Sequence, residues 1–331
     1  MASPVRVLHM NDCAFVGQNI VEAAGRAGLN WRILPPESTW ARLRPGETTT
    51  RRSARLHAAS RRFTAVARSQ VVHVHFATTA RLLHPRWMPQ RPYVLHLHGT
   101  DIRSLWVAKS SHARIQTAID RAAHVYYSTL DNAENALAAR PDAEYMPVFV
   151  DPAGLPRWEP GRDGRYVVFT SRWEEVKGLE DMLRMARQLR AALPGTHELV
   201  GLDWGPGSAA AAEAGVRLVP AMPHAEFLRL LAGADLAIGQ ARPILSVSEI
   251  EAMAIGVPLA AAGPHLPGPD GNDPPILTGS IEQTAEQVVA GVADPAATAA
   301  ALGGREWALT EHTADRQVPR LRGLYERLAA R

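Results

Sequence analysis

The sequence predicts an α/β protein of two Rossmann-like domains, each built on a parallel, doubly wound sheet. Short apolar runs alternate with amphipathic helical stretches along the chain, which is the pattern of strand–helix–strand units. A segment rich in Pro and Gly, 151–164, separates two such series. The length of 331 residues agrees with two domains of roughly 150 residues each.

The first series predicts an amino-terminal domain over 1–155. Its strands are short runs of apolar residues, and its helices carry apolar residues at helical spacing. The strands are predicted at 5–10, 31–35, 71–77, 93–99 and 124–128, and the helices at 19–28 and 112–123.

The second series predicts a domain over 156–308, followed by a helical tail over 309–331. It repeats the alternation of the first series, so a second parallel sheet is expected. The strands are predicted at 165–171, 197–203, 216–220, 235–240 and 258–262, and the helices at 179–193, 224–234 and 248–256.

Composition indicates a soluble cytoplasmic protein. The chain is 46% hydrophobic and 21% charged, and its single cysteine, Cys13, has no partner for an internal disulfide. The amino terminus lacks the pattern of a signal peptide. No apolar run approaches the roughly 18 residues of a membrane span. Peripheral association with a membrane and the oligomeric state are left open.

The net charge is +3, and all but two of the 36 lysine and arginine residues are arginines. The one dense basic stretch, 51–63, has its arginines at helical spacing, which favours a solvated helix face. A surface for anionic acceptors or lipids is the alternative. Nucleic-acid binders combine concentrated charge with aromatic residues, so a nucleic-acid partner is not expected.

The segment TSRWEEVKG contains one of the only two lysines, Lys177; the other is Lys109. Arg172 and Lys177 follow a predicted strand, beside a helix amino terminus, where anions bind. A planar guanidinium and a compact ammonium suit a diphosphate whose leaving oxygen gains charge. The alternative is a pair of solvated cations near Glu174 and Glu175.

The segment SVSEIEAMAIGVP predicts a capped helix followed by a buried strand. Ser246 with Glu249, and Ser248 with Glu251, both fit a capping box. A structural role explains most of the segment. Glu251 is suited to accept two ribose hydroxyls, and the amides of Val247 and Ser248 to receive phosphate or sugar oxygens.

Histidines end two predicted strands. His96 and His98 share one face of their strand because side chains alternate, and His73 and His75 do the same on another strand. Buried core histidines are the ordinary interpretation. A metal site is the weaker one, because no third type of ligand occurs at suitable spacing.

Glycine turns follow further strands, as in FVGQNI and GLDWGPG, although neither turn is specific alone. Ligands of such sheets bind beyond the carboxyl ends of the strands, and a cleft between the two halves is the expected place. Those ends carry Gly17, His75, His98, Arg172, Gly205 and the segment 240–251.

Together, SRWEEVKG, GLDWGPG, EAMAIGVP and LHGTD resemble the retaining glycosyltransferases of the GT-B fold, specifically family 4, also called glycosyl transferases group 1. The resemblance covers nearly the whole chain and is strongest over 165–262. It implies two Rossmann-like domains facing each other across a cleft, with the carboxyl-terminal helix packing back on the first domain. It also implies an acceptor site in the first domain and a nucleotide-sugar site in the second.

The resemblance further implies a role for each matching position. Arg172 and Lys177 would stabilise the leaving diphosphate, and His98 would lie near the reacting sugar. His75 and Asp101 would contact the acceptor. The positions implied in donor binding are Gly17, Gln18, Ser171, Gly205, Val219, Ala221, Arg242, Ser246, Val247, Ser248 and Glu251.

The expected reaction is transfer of a sugar from a nucleoside-diphosphate sugar, UDP-linked by family frequency, to a small polar or natural-product acceptor, with retention. No Asp-x-Asp motif occurs, so no metal and no cofactor are expected. One departure concerns the donor sugar: Pro243 replaces the family's usual glutamate, beside Arg242. This leaves open an altered sugar, other contacts or a degenerate member. The alternatives are a sugar-nucleotide epimerase and a non-catalytic partner subunit.

Overall fold

The structure is a computed structural model that describes residues 4–40 and 51–331, with side chains from residue 53 onward in the second range. The chain divides into two compact units. The first comprises Met1–Asp151 with Thr313–Arg331, and the second comprises Pro152–His312.

The first unit contains a six-stranded parallel sheet in the order β2-β1-β3-β4-β5-β6. The strands are β1 (Val7–Met10), β2 (Arg32–Leu34), β3 (Val71–His75), β4 (Tyr93–Leu97), β5 (His124–Tyr127) and β6 (Glu144–Tyr145). The helices are α1 (Val16–Arg26), α2 (Pro36–Thr39), α3 (Arg51–Ala67), α4 (Ala77–Ala80), α5 (His112–Asp120) and α6 (Ala133–Ala139), with a π-helix at Thr100–Leu105.

The second unit contains a five-stranded parallel sheet in the order β11-β10-β7-β8-β9. The strands are β7 (Tyr166–Phe169), β8 (Glu198–Leu202), β9 (Val216–Val219), β10 (Leu236–Ile238) and β11 (Leu259–Ala260). The helices are α7 (Leu179–Ala192), α8 (Ser208–Glu213), α9 (His224–Gly233), α10 (Val247–Ile255), α11 (Ile281–Gly291), α12 (Pro295–Leu302) and α13 (Gly304–Glu311).

The α/β class with two parallel sheets is therefore confirmed, and every predicted strand is present. The first helix begins earlier than predicted, at Val16, because Asp12 accepts a hydrogen bond from the amide of Gly17 and so orders its first turn. The sequence analysis did not identify α11 and α12, which follow the last strand.

The last helix, α14 (Val318–Ala329), returns to the first sheet, as the resemblance implies. Its apolar side, including Leu321 and Leu328, is buried. The hydroxyl of Tyr325 lies 2.5 Å from Nδ1 of His73 on β3. Arg26 on α1 forms an ion pair with Asp315, just before α14, at 2.8 Å.

The two faces of the first sheet differ in chemistry. One face is aliphatic, as at Val74 and Leu95, and packs in a single core with α3, α4 and α5. On the other face, the register pairs His9 with His73 and His75 with His96. Paired residues of neighbouring parallel strands point to the same side, so this face carries a cluster of imidazoles.

Candidate functional site

The predicted donor residues of the second unit lie together at one edge of its sheet. β7 is the central strand, so the loops that follow β7, β8, β9 and β10 meet at the carboxyl edge, where ligands of such sheets bind. Ser171, Arg172 and Lys177 follow β7, and Gly205 follows β8. Val219 is the last residue of β9, and Ala221 lies in the loop after it. The residues that follow β10 are Arg242, Ser246, Val247, Ser248 and Glu251.

Trp173 anchors the loop after β7, a residue that the sequence analysis did not single out. Its side chain is fully buried, and its Nε1 donates to the carbonyl of Leu202 at 3.1 Å. Gly205 is required beside it, because a Cβ there would lie 2.5 Å from the Trp173 carbonyl oxygen and the φ angle is +114°. A tryptophan within an otherwise charged loop was the available signal.

Arg172 lies on the surface of this loop. Its Nε is 2.9 Å from a carboxylate oxygen of Glu174, and its guanidinium lies 5.7 Å from the ring centroid of Trp204. The ion pair with Glu174 matches part of the alternative interpretation of solvated charges. The hydroxyl of the preceding Ser171 is buried and has no hydrogen-bond partner in the part of the chain that the structure describes.

Lys177 is held by a neutral amide. Its Nζ donates to Oε1 of Gln240 at 2.8 Å. The backbone amide of Gln240 donates to the carboxylate of Glu249, which also accepts from the amide of Ser246. Burial raises the pKa of Glu249, while the nearby Lys177 charge and these amide donors oppose that rise. The ammonium is thus fixed beside Gln240, near enough to Glu249 of α10 for its charge to act on that carboxylate.

Two further contacts join the loop after β7 to the loop after β10. The guanidinium of Arg242 donates to the carbonyls of Glu175 and Val176. Gly178 has φ +79° and ψ 48°, and a Cβ on it would lie 2.5 Å from the carbonyl oxygen of Ala241. Arg242 therefore supports the turn that carries the lysine, and only glycine fits after that turn.

The amino terminus of α10 begins with the first of the two predicted capping boxes. Ser246 caps the helix, and its amide donates to the carboxylate of Glu249. The amides of Val247 and Ser248 lie in the first turn. The second predicted box does not form. Instead, the buried carboxylate of Glu251 lies 2.7 Å from Nε2 of His224, the first residue of α9.

His224 is a site residue that sequence reasoning missed. It lies 27 positions before Glu251, and the contact depends on how α9 packs against α10. The only local signal is a histidine after Pro223 at the start of a helix.

The carboxyl edge of the first sheet carries a hydrogen-bonded row of histidines. Nδ1 of His9 lies 3.1 Å from Nε2 of His75, and Nδ1 of His75 lies 3.1 Å from Nε2 of His98. His73 and His96 stack against this row, with ring centroids 4.7 Å from His75 and 4.4 Å from His98, respectively. The alternation of side chains along two strands predicts four of these histidines on shared faces, but it gives no indication of His9, which lies on a third strand.

Burial keeps these imidazoles neutral. It lowers the pKa of His9 and of His96 to about 3, and the pKa values of His73, His75 and His98 also fall well below the usual range. Neutral imidazoles are metal ligands, and two triads have nitrogens within 4.8 Å of one another: His9 with His73 and His75, and His75 with His96 and His98.

The arrangement of the rings, however, is that of a stack. The planes of His73 and His75 differ by 6°, and those of His96 and His98 by 29°. The lone pairs of a stacked imidazole lie in its ring plane, so stacked neighbours do not direct them at one shared point. The nitrogens of His9, His75 and His98 that face one another are instead at hydrogen-bonding distance.

Asp101, predicted to contact the acceptor, is buried and turned toward the backbone. It accepts hydrogen bonds from the amides of Ala77 and His98, at 3.0 and 2.9 Å. Burial raises its pKa to about 6, although these amide donors oppose the rise. The carboxyl group therefore ties together the ends of β3 and β4.

Gly17 and Gln18 lie in the first turn of α1. A Cβ on Gly17 would lie 2.9 Å from Nε2 of His75, so the helix approaches the histidine row more closely than alanine permits. Gln18 is exposed and donates to Glu22 at 2.8 Å. Between β1 and α1, the backbone is left-handed at Asn11, Ala14 and Phe15, with φ of 68°, 52° and 61°. Such strain concentrates at functional sites.

Comparison with known proteins identifies the fold. No family model and no curated protein sequence matches the chain. HepE from Anabaena, solved with UDP and glucose, has a TM-score of 0.67 at 12% identity, covering 98% of this chain and 100% of that one. AviGT4, a glycosyltransferase involved in avilamycin A biosynthesis, has a TM-score of 0.60 at 16% identity, covering 99% and 98%.

A third similar structure is described as a UDP-N-acetylglucosamine 2-epimerase from Listeria monocytogenes. Its TM-score is 0.58 at 15% identity, and the match covers 96% of this chain and 95% of that one. At these identities the likeness concerns the fold. The chain has the GT-B fold that the sequence analysis predicted. Among the described residues, no helix is both long enough and apolar enough to cross a membrane.

Proposed function

We propose that the protein is a glycosyltransferase that moves a sugar from a nucleoside-diphosphate sugar, UDP-linked, to a small polar or natural-product acceptor. The observation that carries the proposal is the position of Lys177. Its ammonium donates to Gln240, in the loop after β10 that leads into the amino terminus of α10 at the carboxyl edge of the second sheet. A cation and a helix amino terminus together suit a diphosphate.

In this proposal, Lys177 and Arg172 stabilise the negative charge that grows on the departing diphosphate. The amides of Val247 and Ser248 add the partial positive charge of a helix start. Because Lys177 and these amides are fixed before substrate binds, they need little reorganisation during reaction. Arg172 exchanges its pairing with Glu174 for the diphosphate. Transfer is metal-independent and proceeds with retention at the sugar's anomeric carbon.

Glu251 binds the ribose of the donor. A carboxylate accepts hydrogen bonds from two adjacent hydroxyl groups, and the contact with His224 orients it for that purpose. The nucleobase lies beside Val219 and Ala221, at the end of β9 and in the loop that follows it.

The donor sugar is recognised without a carboxylate at position 243, which is Pro243. Arg242 supports the turn before Gly178 through backbone carbonyls, so its guanidinium already has a structural role. This favours a sugar held by other groups over one whose own carboxylate pairs with Arg242. In the first unit, His98 contacts the reacting sugar, and His75 and Asp101 shape the acceptor site.

A second candidate is a sugar-nucleotide epimerase, which the similarity to the epimerase from Listeria favours. That chemistry needs titratable groups around the sugar, and Pro243 removes one carboxylate from that region. A third candidate is a non-catalytic sugar-nucleotide binder that acts as a partner subunit. These candidates differ in their products: a nucleoside diphosphate with a glycosylated acceptor, an isomerised sugar nucleotide, or no product.

The test is turnover across a panel of nucleotide sugars and acceptors without added metal, including uronic-acid and amino-sugar donors. We expect nucleoside-diphosphate release that depends on both substrates and is lost in Lys177→Ala but retained in Lys109→Ala, the only other lysine. Isomerisation of the donor without release of the nucleoside diphosphate would support the epimerase. Binding without any turnover would support the partner subunit.

A further inference from the structure

Three histidines of the first unit form a continuous chain of hydrogen bonds from the interior to the end of a strand. The chain runs from His9 on β1 through His75 at the end of β3 to His98 after β4, with two N···N distances of 3.1 Å. His9 and His75 are fully buried, while His98 is only partly buried. The outer end of the chain is Nδ1 of His98, and the inner end is Nε2 of His9.

A neutral imidazole has one nitrogen that donates and one that accepts. Once all three rings are neutral, two hydrogen bonds in series restrict the chain to two arrangements. Either every ring carries its proton on Nδ1 and donates outward, or every ring carries it on Nε2 and donates inward. The row thus fixes the tautomer of His98 together with the tautomers of the two buried rings.

The inner end distinguishes the two arrangements. Nε2 of His9 is buried and has no hydrogen-bond partner among residues 4–40 and 51–331. The inward arrangement would place an N–H there, whereas the outward arrangement leaves a bare lone pair. Buried N–H groups without acceptors are rarer in folded proteins than acceptors that lack a full set of donors. The aromatic rings of Trp31 and Tyr325 lie near His9, with centroids 6.0 and 6.3 Å from the centroid of its own ring.

We propose that His75 and His9 are positioning residues that hold His98 as its Nδ1–H tautomer, so that His98 presents a hydrogen-bond donor at the carboxyl edge of the first sheet. The group it recognises is an oxygen with a free lone pair, such as a sugar hydroxyl or a phosphoryl oxygen. That ligand class rests on the proposed function; the tautomer does not. In this state Nδ1 of His98 cannot accept a proton from an acceptor hydroxyl.

His96 provides a matched control for substitution of His75. His96 stacks on His98 with ring centroids 4.4 Å apart, but its described contact with His98 is a ring stack and not a hydrogen bond. Replacing His96 with Phe therefore disturbs the same face without changing the chain. Replacing His75 with Phe keeps the ring shape and removes both hydrogen bonds. His57→Gln, which changes an exposed histidine, serves as a further control.

The experiment is two-bond ¹H–¹⁵N correlation spectroscopy of protein labelled with ¹⁵N-histidine near neutral pH, with the His98 signal assigned from its loss in His98→Gln. We expect His98 to be neutral and protonated on Nδ1 in the natural protein and in His96→Phe. In His75→Phe we expect a mixture of tautomers. The spectrum of the natural protein decides whether the histidines donate outward or inward, even if His75→Phe does not fold.

An Nε2–H tautomer of His98 in the natural protein would overturn the proposal. So would an unchanged tautomer in a folded His75→Phe, or a row that takes up stoichiometric Zn²⁺ through His9 and His75. In the transfer assay, we expect His75→Phe to lower kcat/KM by about tenfold, the scale of one lost hydrogen bond. If the natural protein shows the expected tautomers but no transferase activity, the result would count against the proposed function and not against the hydrogen-bonded histidines.

Discussion

Nε2 of His224, at the start of α9, lies 2.7 Å from a carboxylate oxygen of Glu251 on α10. Glu251 is only 4% exposed, and His224 is partly exposed. The pair links two helices that both begin after the carboxyl edge of the second sheet. We infer that His224 holds the carboxylate in the orientation that meets a ribose.

Replacing His224 with Phe is therefore expected to weaken UDP binding by about fivefold, since one oriented hydrogen bond is worth about 1 kcal/mol. Glu251→Gln should weaken it further, because the ribose then loses its charged acceptor. Isothermal titration with UDP measures both effects. Glu226→Gln, an exposed change on the same helix, is the control. Unchanged affinity in His224→Phe would show that the pair is purely structural.

Lys177→Met removes the ammonium while keeping much of the side-chain length. We expect kcat to fall by about 10² to 10³-fold, the scale of losing one preorganised group that stabilises developing charge. Lys177→Arg should recover only part of the rate, because a planar guanidinium cannot reproduce the compact contact with Gln240. Steady-state kinetics of nucleoside-diphosphate release measure both effects, with Lys109→Met as the control. A full rate in Lys177→Met would remove the lysine from the mechanism.

Gly178→Ala is expected to destabilise the second unit. The glycine has a φ angle of +79°, and the added Cβ would meet the Ala241 carbonyl oxygen at 2.5 Å. A left-handed alanine and this contact should lower the free energy of unfolding by about 2 kcal/mol or more. Urea denaturation provides the measurement. Gly195→Ala has open space around it and should change stability by no more than about 0.5 kcal/mol.

The histidine-lined face of the first sheet should make the fold sensitive to acid. His9 and His96 have pKa values of about 3 in the folded state and about 6.5 when unfolded, so the unfolded chain binds more protons as the pH falls below 6.5. Between about pH 6.5 and pH 5, each should cost about 2 kcal/mol of stability. Asp101 acts in the opposite direction, because its folded pKa is raised to about 6.

The free energy of unfolding in urea, measured at about pH 7.5 and again at about pH 5, tests this dependence. His96→Phe should reduce the loss between the two values by about 2 kcal/mol, because one buried imidazole no longer needs to be kept neutral. His57→Gln, which changes an exposed histidine, should leave the loss unaltered. Equal losses of unfolding free energy in the natural protein and in His96→Phe would contradict the lowered pKa of His96 in the folded protein.

The strands of both sheets could be predicted because each is a short apolar run between helical stretches. The runs at β3 and β7 are examples. Arg172 and Lys177 could be placed because their loop follows such a strand directly. What depends on one local segment was therefore accessible from the sequence.

Contacts between segments distant in sequence were not accessible. Periodicity does not give strand order, so nothing in the sequence placed His9 on the strand next to His73 and His75. The contact of His224 with Glu251 depends on the packing of α9 against α10. Likewise, the sequence predicts Arg242 in donor binding, and nothing in it indicates that the guanidinium donates to the carbonyls of Glu175 and Val176.

In the proposed function, the second unit binds a nucleoside diphosphate through Lys177 and Glu251. The deciding measurement is calorimetric titration of UDP and GDP into the natural protein, Lys177→Met, Glu251→Gln and Lys109→Met. We expect saturable, metal-independent binding that is preserved in Lys109→Met and is at least about tenfold weaker in each of the other two variants. Absence of binding by the natural protein, or equal affinity in all four proteins, would contradict a donor site built on Lys177 and Glu251.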